Sequence, residues 1–487
     1  MSLNLKVIFG MKLRQFREQA GLSLTELGAR VGLSTSYLTE IEHGKKYPKA
    51  EKIARIAEAL GKSYDDMVSL RLDEGLQPLA SFLGSPVLHN FPYDLFGISP
   101  AQVVELLTRQ PVEASALVNA LVGIAEQYNI GVEHLYRSAL RSYQEMNDNY
   151  FPEIERAAAE FARSTEINSA PPPAYRDLRV LIEDRFNYQL DELRPEQYPR
   201  LQRFRSVLAA GKGHAARLLI NPALSESQRK FILAREIGYQ VLGLKERAMA
   251  SAPERVESFE QVLNDFKASY FAGALLLNRK ALLADIAEFF ALDRWQPERL
   301  RAFLSRYEAT PEIFFYRLTE ILPQDFGIKL HFLRFNHEGD SYRLVKHLNM
   351  SQVLIPGGTG VNEHYCRRWL AIRILSEFDR ERDEEPKIDA QLSRFVDSDA
   401  RFLCIAMARR LALNPSATSS VSLGFRCDEN LQRAVRFAND PAITRLDIDG
   451  TCERCRLADC GERAAPPHLL ERQRTRAEME RELAALK

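Results

Sequence analysis

Residues 11–70 constrain the fold most tightly, because short amphipathic helices alternate there with glycine stops and serine starts. The spacing predicts a helix over Met11–Ala20, with Leu13 and Phe16 inward and Gly21 closing it. Ser23 caps the next helix and Glu26 completes a capping box, while Leu27 and Val31 are spaced for burial. Gly32 stops that helix. Ser34 or Thr35 starts a third, TSYLTEIEHG, with Leu38 and Ile41 inward and Gly44 at its end. Ala50–Leu60 and Ser63–Leu70 supply two more.

A tight turn between the second and third helices makes this a helix-turn-helix arrangement. LRQFREQAGL, SLTELGARVGLSTSYLTEIEHGKKYP and KIARIAEALG follow in the order of the XRE (Cro/phage-repressor-like) family, which the segment closely resembles. The chain departs from the family at Leu24, where a DNA-contacting glutamine is usual. The resemblance places the third helix in the major groove. Thr25, Ser34, Thr35, Ser36 and Thr39 then become base or phosphate candidates, with Lys45, Lys46 and Lys49 flanking the backbone. Residues 1–70 carry 11 basic against 8 acidic side chains, a local excess in a chain balanced at 66 to 66. A helical bundle used for protein contacts is the competing reading.

With that global balance and a pI near 7.1, nucleic-acid contact must be local. A length of 487 residues allows about three domains. VIFG is too short for a signal-peptide core, and no run approaches the ~18 apolar residues of a membrane span, so a cytoplasmic protein without membrane contact is expected.

Residues 72–168 read as a helical connector that dimerises the reader, by the two-fold logic of half-site recognition. SAPPPAY, residues 169–175, reads as a stiff linker. Beyond it, Ser225 and Gln228 form a capping box for a helix whose Arg235, Glu236 and Tyr239 occupy the frame of H-E-x-x-H, with Arg and Tyr where zinc-binding imidazoles would stand. Residues 169–320 resemble the zincin-like ImmA/IrrE domain through INP, LAREIGY and FAGALLLN. The resemblance puts the zinc ligands at Arg235, Tyr239 and Lys267, and none of the three can serve as the family's ligand does. A guanidinium and an ammonium do not bind zinc at pH 7, so a repressor-cleaving peptidase is disfavoured. Either the site has drifted into structure, or Arg235 and Lys267, flanked by Tyr239 and Tyr270, have become an anion site.

Residues 321–487 read as a mixed α+β sensory domain, of the GAF/PAS sort by element order, ending in a charged helix. Ahead of that helix, TCERCRLADCGERAAPP spaces Cys452, Cys455 and Cys460 as C-x2-C-x4-C, a metal site in a reducing compartment. A fourth ligand is needed: Cys366 first, Cys427 second, with Cys404 assigned to the core. An all-thiolate set suits a [4Fe–4S] cluster, and zinc with His468 is the alternative.

The whole order resembles the short-chain fatty acyl-responsive transcriptional regulators. The fold class expected is multidomain α+β: an all-α reader, a helical connector, a zincin-like middle domain and an α+β sensor. The resemblance implies a homodimeric, non-enzymatic regulator binding double-stranded operator DNA. It also implies an acyl-coenzyme A effector and, in part of the group, a [4Fe–4S] cluster. A metabolite-independent XRE repressor or antitoxin-like protein with structural zinc is the alternative.

Overall fold

A computed structural model describes residues 3–69, 93–97, 132–167, 172–210, 216–251, 256–351, 363–381, 385–398 and 400–486. The chain falls into two compact units, 1–143 with 257–259, and 144–256 with 260–487. The connector segment VVELLTRQPVEASALVNALVGIAEQYNI lies wholly outside the described residues, as does the start of the proline linker.

The first unit holds α1 (Leu3–Gln19), α2 (Leu24–Val31), α3 (Thr35–Glu42), α4 (Ala50–Ala59) and α5 (Tyr64–Val68). The capping box at Ser23 forms, and Gly32 takes φ 64° at the end of α2. Sequence spacing started α1 at Met11, eight residues late. Gly10 does not break that helix because it is where α3 crosses: a Cβ there would lie 2.2 Å from the Ile41 carbonyl oxygen. Leu13, Leu27, Leu38, Ile41 and Ile56 are each fully buried in the common core. The buried Glu42 carboxylate takes two Arg17 hydrogen bonds, at 2.7 and 3.0 Å, tying α1 to α3.

The next helix, α6 (Val132–Met146), leads into α7 (Pro152–Ser164), which the sequence reading left in the connector. The structure instead packs α7 inside the second unit, Phe161 on Phe271 and Phe151 on Phe266. Its apolar face, Ile154, Ala158 and Phe161, is buried there. After α8 (Tyr175–Val180) come β1 (Tyr188–Glu192), β2 (Ser206–Ala210) and β3 (Ala216–Ile220). They form a sheet in the order β1-β3-β2, with β1 parallel and β2 antiparallel to β3. The capped helix is α9 (Glu226–Val241), with the Ser225–Gln228 box in place. Four helices follow: α10 (Phe259–Leu276), α11 (Arg279–Phe290), α12 (Pro297–Arg306) and α13 (Pro311–Phe326). Gly238 of α9 allows α10 in close, since its Cβ would meet Ala268 O at 3.0 Å.

The second sheet combines β4 (Leu330–Glu338), β5 (Ser341–Asn349), β6 (Lys387–Phe395), β7 (Arg401–Leu411), β8 (Asn414–Arg426) and β9 (Thr444–Ile448), ordered β5-β4-β8-β7-β6-β9. Its pairs are antiparallel except β6 with β9. Helix α14 (Leu370–Glu381) covers one face with Ile374, Leu375 and Phe378 at zero exposure. Short α15 (Glu429–Ala434) and the exposed α16 (His468–Ala485) complete the multidomain α+β architecture. Among the described residues, no helix is long and apolar enough to cross a membrane.

Candidate functional site

The candidate DNA-facing surface is the start of α3. Ser34 is committed locally: its hydroxyl accepts the Tyr37 N–H as N-cap. Thr39 is also engaged, donating to the Thr35 carbonyl at 2.8 Å. Thr35 and Ser36 stand exposed on the first turn, which carries no acidic residue, and Thr25 is exposed on α2. A helix N-terminus with free N–H groups and no carboxylate favours phosphate. Lys45 and Lys46 are exposed beyond the helix, Lys46 pairing with Glu40 at 2.7 Å. Replacing Thr35 and Ser36 by alanine should cost about 1–3 kcal/mol of operator affinity in fluorescence anisotropy. Unchanged affinity would place the reading surface elsewhere.

On α9, the former metal frame is filled by ion pairs. Glu236 is fully buried and accepts two Arg247 hydrogen bonds at 2.7 Å each, with the Tyr188 hydroxyl at 3.3 Å. Arg235 donates to Ser251 at 2.7 Å and Asp265 at 3.3 Å, and the Tyr239 hydroxyl lies 3.4 Å from the same Asp265 oxygen. The Arg247 guanidinium covers the Tyr239 ring at 3.8 Å. Burial and then the Asp265 charge push the Tyr239 phenol well above its usual range.

Asp265, not Lys267, is the α10 residue that reaches Arg235 and Tyr239. Two residues further on, Lys267 lies about 200° round the helix. Tyr270 belongs to another cluster: its hydroxyl donates to Glu155 at 2.9 Å and accepts the Phe151 N–H at 3.2 Å. The four residues grouped as one ligand site in the sequence are therefore split, and only Arg235 and Tyr239 share a partner. The physical reason is helical phase.

Arg235 faces a different set of cations. Arg334 on β4, Arg409 on β7, Arg235 itself and Glu312 in the first turn of α13 all lie within electrostatic reach of Arg205, just before β2. Arg409 grips Glu312 with hydrogen bonds of 2.8–3.1 Å, and Arg334 donates to Ser419 at 3.3 Å. Burial pushes the Glu312 carboxyl up, yet the charges of Arg409 and Arg334 outweigh it and hold it at about 2. Burial, then the Arg334 charge, push the Arg205 guanidinium down to about 10. Arg205 bonds no carboxylate among the described residues, and the Nε of Arg235 is buried without a partner. Arg205, Arg334 and Arg409 thus share Glu312, while Asp265 and Glu236 lie against Arg235. Sequence motifs did not reveal Arg205, Arg334 or Arg409, which come from separate strands. An arginine in the buried run RFLCIAMARRL was the one available signal.

The third cluster is the cysteine loop. Residues 364–366 run antiparallel to 450–452, with Cys452 N–H donating to His364 O at 2.9 Å and Cys366 N–H to Gly450 O at 3.2 Å. Cys366, Cys452 and Cys455 are buried and Cys460 is half-buried. Burial, with smaller contributions from Cys452 and Cys455, pushes the Cys366 thiol up to about 11, and Cys455 feels Cys460. The Cys452 sulfur accepts the Ala464 N–H at 3.3 Å. Arg463 donates to the Cys452 and Leu457 carbonyls, holding the loop. Among the described residues, no three His, Cys, Asp or Glu side chains are already gathered as a metal cage. Cys404 is core, and Cys427, the second choice for fourth ligand, neighbours Cys404 rather than the loop. His468 is exposed at the start of α16.

Comparison with known proteins adds a family context. A helix-turn-helix domain family matches residues 8–70, and the IrrE N-terminal-like domain family matches 192–319. The chain is 23% identical to the HTH-type transcriptional regulator RamB of Mycobacterium tuberculosis over 95% of each chain. It is 22% identical to the propionyl-CoA carboxylase regulator of Cereibacter sphaeroides, again over 95% of each. A solved Mycobacterium tuberculosis transcriptional regulator covers 68% of this chain and 93% of its own, at 18% identity and a TM-score of 0.48. The chain is thus homologous to RamB and to the propionyl-CoA carboxylase regulator along nearly its whole length, with an XRE-type reader ahead of an IrrE-like domain.

Proposed function

We propose that the chain is a DNA-binding transcriptional regulator whose second unit binds an acyl-coenzyme A and passes its occupancy to the reader. The DNA-binding role rests on the helix-turn-helix match and on regulator homologues aligned end to end. The observation that carries the effector reading is the surplus of guanidiniums around Glu312. Positive charges withdrawn from water need counter-charges, and a phosphate-bearing ligand supplies them. Coenzyme A carries a pyrophosphate and a 3′-phosphate, and the Cereibacter relative is a propionyl-CoA carboxylase regulator. Arg235 remains in the site, joined now by Arg205, Arg334 and Arg409. No peptidase chemistry is assigned, since Glu236 is held by Arg247. Effector binding changes DNA affinity only by its difference in affinity between the DNA-competent and incompetent states. The reading includes a cytoplasmic homodimer on a two-fold operator. Titration calorimetry of propionyl-coenzyme A tests it, and absence of binding would count against it.

Cys366, Cys452, Cys455 and Cys460 would hold a [4Fe–4S] cluster. What supports the reading is the C-x2-C-x4-C spacing together with the electrostatic reach of Cys366 to Cys452 and Cys455 and of Cys455 to Cys460. Among the described residues the four thiols are not gathered as a cage, and the exposed His468 is not among them. Such a group would supply a redox-sensitive link between the 364–366 segment and the 452–460 loop. Anaerobically purified protein should be brown and contain iron and acid-labile sulfide in equal amounts, both lost in Cys455→Ser. Colourless protein with one zinc per chain would reject the cluster.

A further inference from the structure

A separate cleft opens between α14 and the end of the cysteine loop. It encloses about 510 Å³, within the ~300–1,000 Å³ range of small-molecule pockets. One wall is the start and outer face of α14, with Arg367, Arg368, Arg373 and Arg380; the opposite wall is Asp459–Glu462, and Tyr342 of β5 contributes a ring.

The charges on the two walls are not equivalent. Arg373 is fully engaged, donating to Gln391, Glu377 and Asp389 at 2.6–3.1 Å. Glu377, the carboxylate on the helix wall, is neutralised by Arg373 and by Lys387 at 3.3 Å. Arg367, Arg368 and Arg380 bond no carboxylate among the described residues; the Arg380 Nε donates to the Ser376 carbonyl at 3.2 Å, and the Arg368 charge acts on Asp447. The Arg367 guanidinium stacks on the Tyr342 ring at 4.3 Å, that ring stacks on His337 at 4.2 Å, and His337 bonds Asp379 at 2.6 Å. This stack fixes one guanidinium plane before any ligand arrives, which lowers the ordering cost of binding. Asp459 and Glu462 are exposed on the loop, where water and salt screen them.

Three guanidiniums without a bonded carboxylate, around a cleft of this size, suit a small polyphosphate better than a protein surface. We propose that this cleft is a second anion site, distinct from the arginine cluster around Glu312, and that it takes a di- or polyphosphorylated small molecule. Arg367, Arg368 and Arg380 clamp the phosphates. Because Cys460 and Gly461 form part of the opposite wall, the ligand bridges α14 to the cysteine loop.

Inorganic pyrophosphate titrated into the full chain by calorimetry tests the site. Arg367→Ala with Arg380→Ala should weaken pyrophosphate binding at this site at least tenfold, whereas Arg205→Met should leave it unchanged. Arg380 is exposed, so Arg380→Gln alone serves as a fold-neutral check and should show a smaller loss in the same direction. Pyrophosphate affinity unaltered in both variants, or lost only in Arg205→Met, overturns the assignment. So does tight binding of an acidic peptide, rather than pyrophosphate, that the double variant loses.

Discussion

Replacing Arg317 by methionine should remove about 3–5 kcal/mol from the stability of the second unit, the cost of breaking a buried ion pair from one side. The Arg317 side chain is wholly buried. It donates to Glu155 at 2.6 and 3.0 Å and to Glu320 at 2.8 Å, and its Nε lies 3.4 Å from the Leu277 carbonyl oxygen. Without it, two buried carboxylates face each other across α7 and α13. The loss should depend on pH. Burial pushes the Glu320 carboxyl up to about 8, more than Arg317 can offset, while Arg317 keeps Glu155 low against its own burial. Glu320 therefore contributes stability at low pH that is lost as pH rises from about 4.5 through about 8, because the folded state binds more protons there. Glu155 acts the other way, losing its contribution as pH falls below the ordinary carboxyl value. Glu320→Gln should flatten the alkaline side of the profile and rescue part of the Arg317→Met loss. Urea unfolding at pH 6 and pH 8 reads both effects. A loss below about 1 kcal/mol, the scale of an exposed pair, would contradict a cluster that holds α7 against α13.

Arg205→Met should separate function from folding in the opposite sense. Arg205 is repelled by Arg334, Arg235 and Arg409 and attracted by Glu312. Removing it relieves repulsion without orphaning a carboxylate, so the apo protein should melt no lower than the parent. Acyl-coenzyme A affinity should fall about 10–100-fold, the scale of one charge-assisted hydrogen bond at ~1.5–3 kcal/mol. A variant that melts lower and binds normally would make the cluster structural. One that melts normally and binds normally would move the effector elsewhere.

The parts legible in the sequence were those written in local spacing. Capping boxes at Ser23 and Ser225 and the glycine stop at Gly32 follow from contacts within a few residues. What escaped depends on distance along the chain. Arg205, Arg334, Arg409 and Glu312 are set together only when β2, β4, β7 and α13 assemble, and no spacing encodes that. Lys267 and Tyr270 show the converse failure: a family spacing put Lys267 at the site with Tyr270 as its flank, and the rotation of α10 turns both from Asp265. Gly10 was hidden for a similar reason, since its need for space comes from Ile41 on another helix. The buried histidine of β4 belongs with it, because Gly424 must lack a side chain where a Cβ would meet the His331 ring at 2.1 Å.

Operator affinity measured by fluorescence anisotropy with and without saturating propionyl-coenzyme A tests the central claim most directly. The account predicts a shift of at least about fivefold, the lower end of typical coupling between sites, abolished in Arg205→Met while ligand-free DNA binding persists. Equal operator affinity at every ligand concentration, with binding of the ligand established by calorimetry, would contradict it.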